Sequence, residues 1–342
     1  MRTVTLGSTG ITVPQNAFGA LPIQRVSEED AVRILRRAYE GGMRFFDTAR
    51  AYTDSEKKLG IAFAGMREKV FISSKTMART PEDFWKQLKA SLENLQTDYI
   101  DIYQFHMVPQ CYRPGDGTGL YECMLEAKEK GMIRHIGITA HLLHVAQEIV
   151  ESGLYETLQF PLSYLSSPED EALAKRCAEN NMGFIAMKAL AGGLIRNADA
   201  AMAYMLQFEN TLPIWGVQKE EELEEWLAFM EREPEMTPDL VVFIEKERKE
   251  LSGSFCRGCG YCLSACPQNI AINNCARMSL MLRRAPSAYW LGEEMQEKMR
   301  ETESCIECHA CEAQCPYHLP IPELLKENYD DYKKVLSGER TV

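Results

Sequence analysis

The 342-residue sequence has no apolar run long enough to cross a bilayer, since none reaches the roughly 18 residues such a helix needs. It has no excess of basic residues: 38 Lys and Arg stand against 50 Asp and Glu, a formal net charge of -12. A nucleic-acid role therefore has no electrostatic support. The N-terminus, MRTVTLGSTG, lacks the apolar core of a secretory leader. Low-complexity tracts are absent. No Gly-x-Gly-x-x-Gly follows the first apolar run, which counts against an open doubly wound sheet. These absences predict a cytoplasmic protein without membrane or nucleic-acid contact, and they leave the oligomeric state open.

What is present is an ordinary globular composition, 45% hydrophobic and 26% charged. Eight short apolar runs punctuate the first two-thirds: 13–21, 45–49, 70–76, 99–106, 133–140, 157–165, 183–190 and 212–218. They are rich in β-branched and aromatic residues and apolar on both faces, as strands buried in a parallel sheet are. Amphipathic stretches separate them. In SEEDAVRILRRAYEGG, Ser27 can cap a helix whose apolar stripe runs through Ala31, Ile34, Leu35, Ala38 and Tyr39. PEDFWKQLKASLENLQ starts on Pro81 and aligns Phe84, Leu88, Leu92 and Leu95. Further helices are predicted over 119–130, 142–151, 169–180, 198–208, 219–231 and 239–251. Eight strands alternating with helices predict an α/β fold, a (β/α)8 barrel of the TIM type.

The character changes near EREPEMTP (231–238), where charge and two prolines suggest a linker. We read 1–235 as the barrel, 236–252 as linker and helix, and 253–342 as a small cysteine-rich domain. Of twelve cysteines, Cys111, Cys123, Cys177 and Cys275 stand apart and read as small buried hydrophobes. The other eight form CRGCGYCLSACP (256–267) and CIECHACEAQCP (305–316), with a predicted helical insert between them.

Four polar groups fall at or just past predicted strand ends: Asp47, Tyr52, Lys75 and His106. In such a barrel these ends share one mouth, where chemistry is done. Carbonyl reduction would use all four. Hydride arriving at a carbonyl carbon leaves charge on oxygen, which needs a proton. A tyrosine is a weak acid unless its phenolate is stabilised, and Lys75, held by Asp47, would do that. His106 could orient the substrate oxygen. Singly, each has an ordinary reading as a strand terminus, a structural histidine or a helix cap. In this order they reinforce one another.

GGMRFFDTARAYTDSEKKLG resembles the signature of the aldo-keto reductases, FISSKT their lysine strand and YIDIYQFHMV their histidine strand. TVTLGSTGITVP resembles their N-terminal hairpin. The resemblance covers about 1–230. It implies that Asp47, Tyr52, Lys75 and His106 form a catalytic tetrad with Tyr52 as acid. It also implies a nicotinamide cofactor, NADP(H) or NAD(H), across the mouth. Cofactor contacts are expected at Gln159, Lys188, Gly192, Gly193, Gly216 and Lys219. The family's Ser-Asn pair is replaced by Thr139 and Ala140, and its stacking tyrosine by Met187. An arginine near the 2′-phosphate is missing, with Glu222 and Trp226 in that region. Loop MVPQCYRPGDGTG lines the expected pocket, and its Arg113 reads either as an anion contact or as a solvated charge.

Each cysteine run reads C-x2-C-x2-C-x3-C-P. This spacing resembles bacterial two-cluster ferredoxins, in which the fourth cysteine serves the other [4Fe-4S] cube. The resemblance implies one cluster on Cys256, Cys259, Cys262 and Cys315, and a second on Cys305, Cys308, Cys311 and Cys266. Zinc is the competing occupant, but structural zinc pairs two C-x2-C units per ion. His309 breaks no cysteine spacing and reads either as a surface residue or as a neighbour of the cluster's ligands. The whole predicts an oxidoreductase interconverting a small-molecule carbonyl and its alcohol, with clusters for electron transfer to a redox protein partner or for sensing. A hydride carries two electrons and a cubane takes one, so a direct relay needs a mediator, commonly a flavin. Two alternatives follow: a flavin- or other cofactor-dependent enzyme passing single electrons through the clusters, and a non-catalytic electron-transfer or sensing protein. The tetrad argues against the last.

Overall fold

Eight short parallel strands close on themselves in the computed structural model, which describes residues 1–251, 255–258, 260–284, 288–315 and 317–340. The chain divides into two compact units, Met1–Ala189 with Ala198–Met236, and Leu190–Asn197 with Thr237–Val342.

In the first unit an antiparallel hairpin, β1 (Thr3–Thr5) and β2 (Thr12–Pro14), precedes the barrel. The barrel strands are β3 (Ala17–Gly19), β4 (Phe45–Asp47), β5 (Phe71–Thr76), β6 (Ile100–Phe105), β7 (Ile133–Thr139), β8 (Thr157–Pro161), β9 (Gly183–Met187) and β10 (Thr211–Gly216). Neighbours follow chain order, and β10 pairs with β3 to shut the ring. Val4, Leu6, Ile11 and Val13 of the hairpin share a core with Ala17, Phe45, Ile102, Ile185, Leu212 and Ile214. The hairpin thus plugs the end where the strands begin, each large side chain contributing about 1.5–3 kcal/mol of burial. The opposite mouth is left for polar groups.

Outside the strands lie α1 (Glu28–Glu40), α2 (Ser55–Ala62), α3 (Pro81–Leu95), α4 (Leu120–Glu129), α5 (Leu143–Ser152), α6 (Pro168–Glu179), α7 (Ala198–Met205) and α8 (Glu220–Glu231). Ser27 caps α1 by accepting the Asp30 N–H, and the buried face is Ala31, Ile34, Leu35 and Ala38. Pro81 opens α3, capped by Thr80. Helix α2 was not expected. It buries Ser55, Glu56 and Lys58 together with Leu59, Gly60 and Ala62, so no clean apolar stripe discloses it.

The second unit is helical, with no strand among its described residues. It holds α9 (Pro238–Leu251), α10 (Ile272–Cys275), α11 (Met278–Arg284), α12 (Glu293–Arg300), α13 (Ala310–Ala313) and α14 (Ile321–Leu336). Helix α14 organises it. Asn328 Oδ1 accepts the Ser279 N–H at 2.8 Å, and Asp331 receives Arg283 through two bonds of 2.6 and 2.8 Å. Ile272, Cys275, Met278, Met295, Met299, Leu324 and Leu325 are buried around these contacts.

Candidate functional site

Strand β4 ends on Asp47, β5 carries Lys75 next to its last residue, and His106 follows β6. Parallel closure brings these ends to one mouth. Lys75 is 1% exposed, and its Nζ lies 2.6 Å from Asp47 Oδ2. The same ammonium donates to Thr48 O at 2.6 Å. It stands 5.0 Å from the centroid of the Tyr52 ring. Tyr52 in turn meets His106 edge-on, with centroids 5.7 Å apart. The structure therefore brings these four side chains together.

Burial pulls the Lys75 pKa down, but the charges of Asp47 and Tyr52 outweigh it and hold the ammonium above its ordinary value. Burial pushes the Tyr52 phenol up, with Lys75 opposing, so the hydroxyl carries its proton at neutral pH. His106 is lowered to about 3 by burial, then by Lys75 and Arg79. It is a neutral imidazole, and its Nδ1 has no hydrogen-bond partner among the described residues. Removing either member of the Lys75–Asp47 pair would leave a buried charge uncompensated, at a cost of about 3–5 kcal/mol.

The segment between Asp47 and α2 is fixed by its backbone. Arg50 N donates to Lys75 O at 3.0 Å, Tyr52 N to Ala49 O at 3.0 Å, and Ser55 N to Tyr52 O at 2.8 Å. Ser55 Oγ donates to Ala20 O at 2.9 Å. Glu56, 1% exposed, accepts from Ser74 Oγ at 2.6 Å and pairs with Arg50. Sequence reasoning missed Glu56. The signal was its place in Ser-Glu just after the tyrosine.

A second histidine was missed too. His141, two residues past β7, is 5% exposed. Burial lowers its pKa, and Lys188 and His106 act on it in the same direction. Its neighbour Thr139 accepts the Met107 N–H at 2.7 Å.

The expected cofactor residues are differently placed. Gln159 faces the tetrad: its Oε1 accepts Gln104 Nε2 at 2.7 Å, and its Nε2 donates to Asp47 Oδ2 at 3.5 Å. Lys188 has a left-handed backbone, φ 55°. Ala191, Gly192 and Gly193, in the second unit, form a left-handed series with φ of 49°, 70° and 93°. Successive backbone N–H groups in such turns make anion-binding concavities. Gly216 ends β10, and Lys219 is exposed just before α8. Glu222 accepts the N–H groups of Gln218 and Lys219 at 2.9 and 3.2 Å, capping α8. Trp226 stacks on Trp215 at 3.9 Å. Arg113 is a surface residue paired with Glu148 at 3.0 Å.

The two cysteine runs repeat one backbone. Gly258 and Gly260 are left-handed, with φ of 67° and 86°; their counterparts Glu307 and His309 have φ of 50° and 59°. Further on, Asn269 and His318 match at 54° and 49°. Hydrogen bonds repeat as well. Leu263 N to Gly260 O matches Glu312 N to His309 O, both 3.1 Å, and Asn269 N to Cys266 O at 3.1 Å matches His318 N to Cys315 O at 3.2 Å. His309 is exposed and bonded to Glu312 at 2.8 Å. A cavity is lined by Cys266 of the first run and Cys305, Cys308 and Cys311 of the second, with Ile270, Ile272 and Pro322 beside them. Cys256, Cys262 and Cys315 are buried, and Gly258 N–H donates to Cys256 Sγ at 3.4 Å. Cys259 lies outside the described residues. Among the described residues no three of Cys, His, Asp and Glu gather as ligands of a single ion. Cys111, Cys123, Cys177 and Cys275 are all buried.

Comparison with known proteins finds two family models in different parts of the chain. The model of the aldo/keto reductase family matches residues 15–205, and that of a 4Fe-4S dicluster domain matches 255–320. L-Galactose dehydrogenase of Arabidopsis thaliana is 30% identical over 209 residues, 56% of this chain and 66% of that protein. Methylglyoxal reductase DkgA of Escherichia coli O157:H7 is 32% identical over 146 residues, 42% of this chain and 50% of the relative. The chain thus spans about half to just under two-thirds of these curated relatives. Among solved structures, aldo-keto reductase AKR11C1 from Bacillus halodurans superposes with a TM-score of 0.63 at 22% identity, covering 72% of this chain and 96% of that one. An aldo-keto reductase from Klebsiella pneumoniae in complex with NADPH gives 0.61 at 21%, covering 72% and 94%. These likenesses show the fold, a (β/α)8 barrel. Because the family match alone spans more than half of the sequence, this chain belongs to the aldo/keto reductase family, and a 4Fe-4S dicluster domain follows its barrel.

Proposed function

We propose that the barrel interconverts a small carbonyl compound and its alcohol with NADP(H) or NAD(H), and that the cysteine unit carries two [4Fe-4S] clusters. The observation that carries the first part is the buried Lys75–Asp47 pair beside Tyr52, at 2.6 Å. A bound nicotinamide supplies the hydride. Neutral His106 donates a hydrogen bond to the carbonyl oxygen and fixes its direction. Tyr52 passes its hydroxyl proton to that oxygen as negative charge develops there. Lys75 stabilises the resulting phenolate, and Asp47 keeps Lys75 charged and in place. Glu56 and Ser55 hold the segment that carries Tyr52. The left-handed turn at 191–193 supports the nucleotide assignment through Gly192 and Gly193. Gln159, Lys188, Gly216 and Lys219 complete the assigned contacts.

For the clusters, the cavity lined by Cys266, Cys305, Cys308 and Cys311 fits the crossed ligand set of a cubane. Its thiols surround a space, as ligands to different irons do. We assign the second set to Cys256, Cys259, Cys262 and Cys315. A bound cubane supplies one-electron storage, and the thiolates hold it.

Two measurements on anaerobically purified protein test the reading. Iron and acid-labile sulfide should match two cubanes, with broad absorbance near 400 nm. NADPH should be consumed when a small aldehyde is added. Colourless protein containing zinc would contradict the cluster assignment. Cluster-loaded protein that binds neither nicotinamide nucleotide would contradict the barrel assignment.

A further inference from the structure

Behind the tetrad, the barrel interior holds a polar layer that the mechanism above does not use. Asp47 on β4 is in register with Ser73 on β5, and Lys75 on β5 with Gln104 on β6, so these side chains share the inner face. Ser73 and Gln104 are 0% exposed. Gln104 Nε2 donates to Ser73 Oγ and to Gln159 Oε1, both at 2.7 Å. Gln159 Nε2 donates in turn to Asp47 Oδ2 at 3.5 Å. Ser73, its oxygen taken by Gln104, keeps its hydrogen for the Asp47 carboxylate beside it. These directions are dictated from the carboxylate outward. An ionised Asp47 only accepts, so Gln159 must face it with nitrogen, and Gln104 must face the Gln159 oxygen with nitrogen. Room for Gln104 comes from Gly137, its register partner on β7: a Cβ there would lie 2.8 Å from Gln104 Cγ. Gln104 Oε1 has no hydrogen-bond partner among the described residues. A buried amide with an unmet acceptor costs stability that an apolar side chain would not, so Gln104 needs a reason other than packing.

The reason lies at Asp47. Burial pushes its carboxyl up from the ordinary value, and Lys75 opposes that first, then the bonds from Gln159 and Ser73. The titratable groups facing it are Lys75 on β5 and Tyr52 beyond β4, while His106 after β6 is neutral. We propose that Gln104 is a positioning residue for carbonyl reduction: its one amide aims two donors, Ser73 Oγ and Gln159 Nε2, at Asp47 and so keeps the Lys75–Asp47 pair charged beside Tyr52. This rests on the tetrad assignment above. Without Gln104, Ser73 and Gln159 are free to turn away, and Asp47 takes up a proton at higher pH. Lys75 then loses its counter-charge, and a lone buried ammonium gives up its proton. The Tyr52 phenolate is left with no cation to stabilise it.

The test is steady-state reduction of one small aldehyde by NADPH, from roughly pH 5 to 8, on full-length, cluster-loaded parent and Gln104→Leu. The parent's kcat should be flat. In Gln104→Leu an acid limb should enter, with kcat at pH 5.5 about tenfold below its value at pH 8. KM for the aldehyde and calorimetric affinity for NADP⁺ should stay within about twofold of the parent's. Ser73→Ala removes one donor and leaves the Gln104–Gln159 bond, so it should show a smaller limb of the same sign. A Gln104→Leu profile parallel to the parent's would overturn the proposal. So would a flat profile with weakened NADP⁺ binding, which would make Gln104 a support for the nucleotide through Gln159 alone. Should Gln104→Leu fail to fold, Ser73→Ala decides: an acid limb supports the proposal, and a flat profile refutes it. A parent that reduces no aldehyde would overturn the tetrad assignment and this inference with it. Loss of activity in Tyr52→Phe beside a flat Gln104→Leu profile would overturn this inference alone.

Discussion

At the scale of single residues, His106 gives the clearest pH signature. Its pKa is about 3 in the fold against an ordinary 6.5. As pH falls below 6.5 the unfolded chain takes up a proton that the folded chain refuses until about pH 3. Stability is therefore lost progressively on acidification through that window and is unaffected above it. Thermal melting at pH 7.5 and pH 5 checks this: His106→Gln should lose less Tm between the two than the parent. His106 stays neutral and Tyr52 protonated from roughly pH 5 to 8, so kcat for carbonyl reduction should be flat there. A second prediction concerns Glu307, a non-glycine residue at φ 50° where the first run has Gly258. Relieving that conformation in Glu307→Gly should raise the stability of the cysteine unit by about 0.5–1 kcal/mol, read from denaturant midpoints of loaded protein. Asp47, Lys75 and His106 were legible because ionisable groups at buried strand ends need a chemical reason. His141 was not, since a histidine beyond a strand reads the same in loops of every kind.

At the scale of elements, the strands were legible because burial on both faces leaves an apolar run. One run misled. Residues 13–21 read as one strand, yet the chain breaks into β2 and β3 around buried Gln15 and Asn16. Gln15 Nε2 donates to Phe208 O and Thr211 O at 2.7 and 2.8 Å, and Asn16 Nδ2 donates to Trp226 O at 2.8 Å. These long-range partners have no local sequence signal. Helix α2 was illegible for a related reason: half of its buried residues, Ser55, Glu56 and Lys58, are polar, satisfied by Ser74, Ala20 and the carbonyls of Ile23 and Val26. Its contribution is to hold the Tyr52 segment. Glu56→Gln, which removes the charge facing Arg50, should lower kcat about tenfold, roughly 1.4 kcal/mol of barrier, with little change in KM. Steady-state kinetics with one aldehyde checks it.

At the scale of the whole molecule, the sequence pointed to a barrel followed by a cysteine unit, because cysteine spacing is a local pattern. It could not disclose that Leu190–Asn197 groups with the cysteine unit, since that association joins residues far apart in the chain. We assign hydride chemistry to the first unit and electron storage to the second. Cys308→Ala should therefore lose the cubane of the second run while NADPH-dependent reduction changes less than about threefold, below 1 kcal/mol of barrier. Iron content and initial rates measured on one preparation separate the two effects. The central claim is that Tyr52, backed by Lys75 and Asp47, is the proton donor. The most direct measurement is the rate of aldehyde-dependent NADPH oxidation by Tyr52→Phe, with the cluster absorbance of the same sample as a check on folding. The account predicts a fall of about 10²–10⁴-fold with that absorbance unchanged. A rate within twofold of the parent would contradict it.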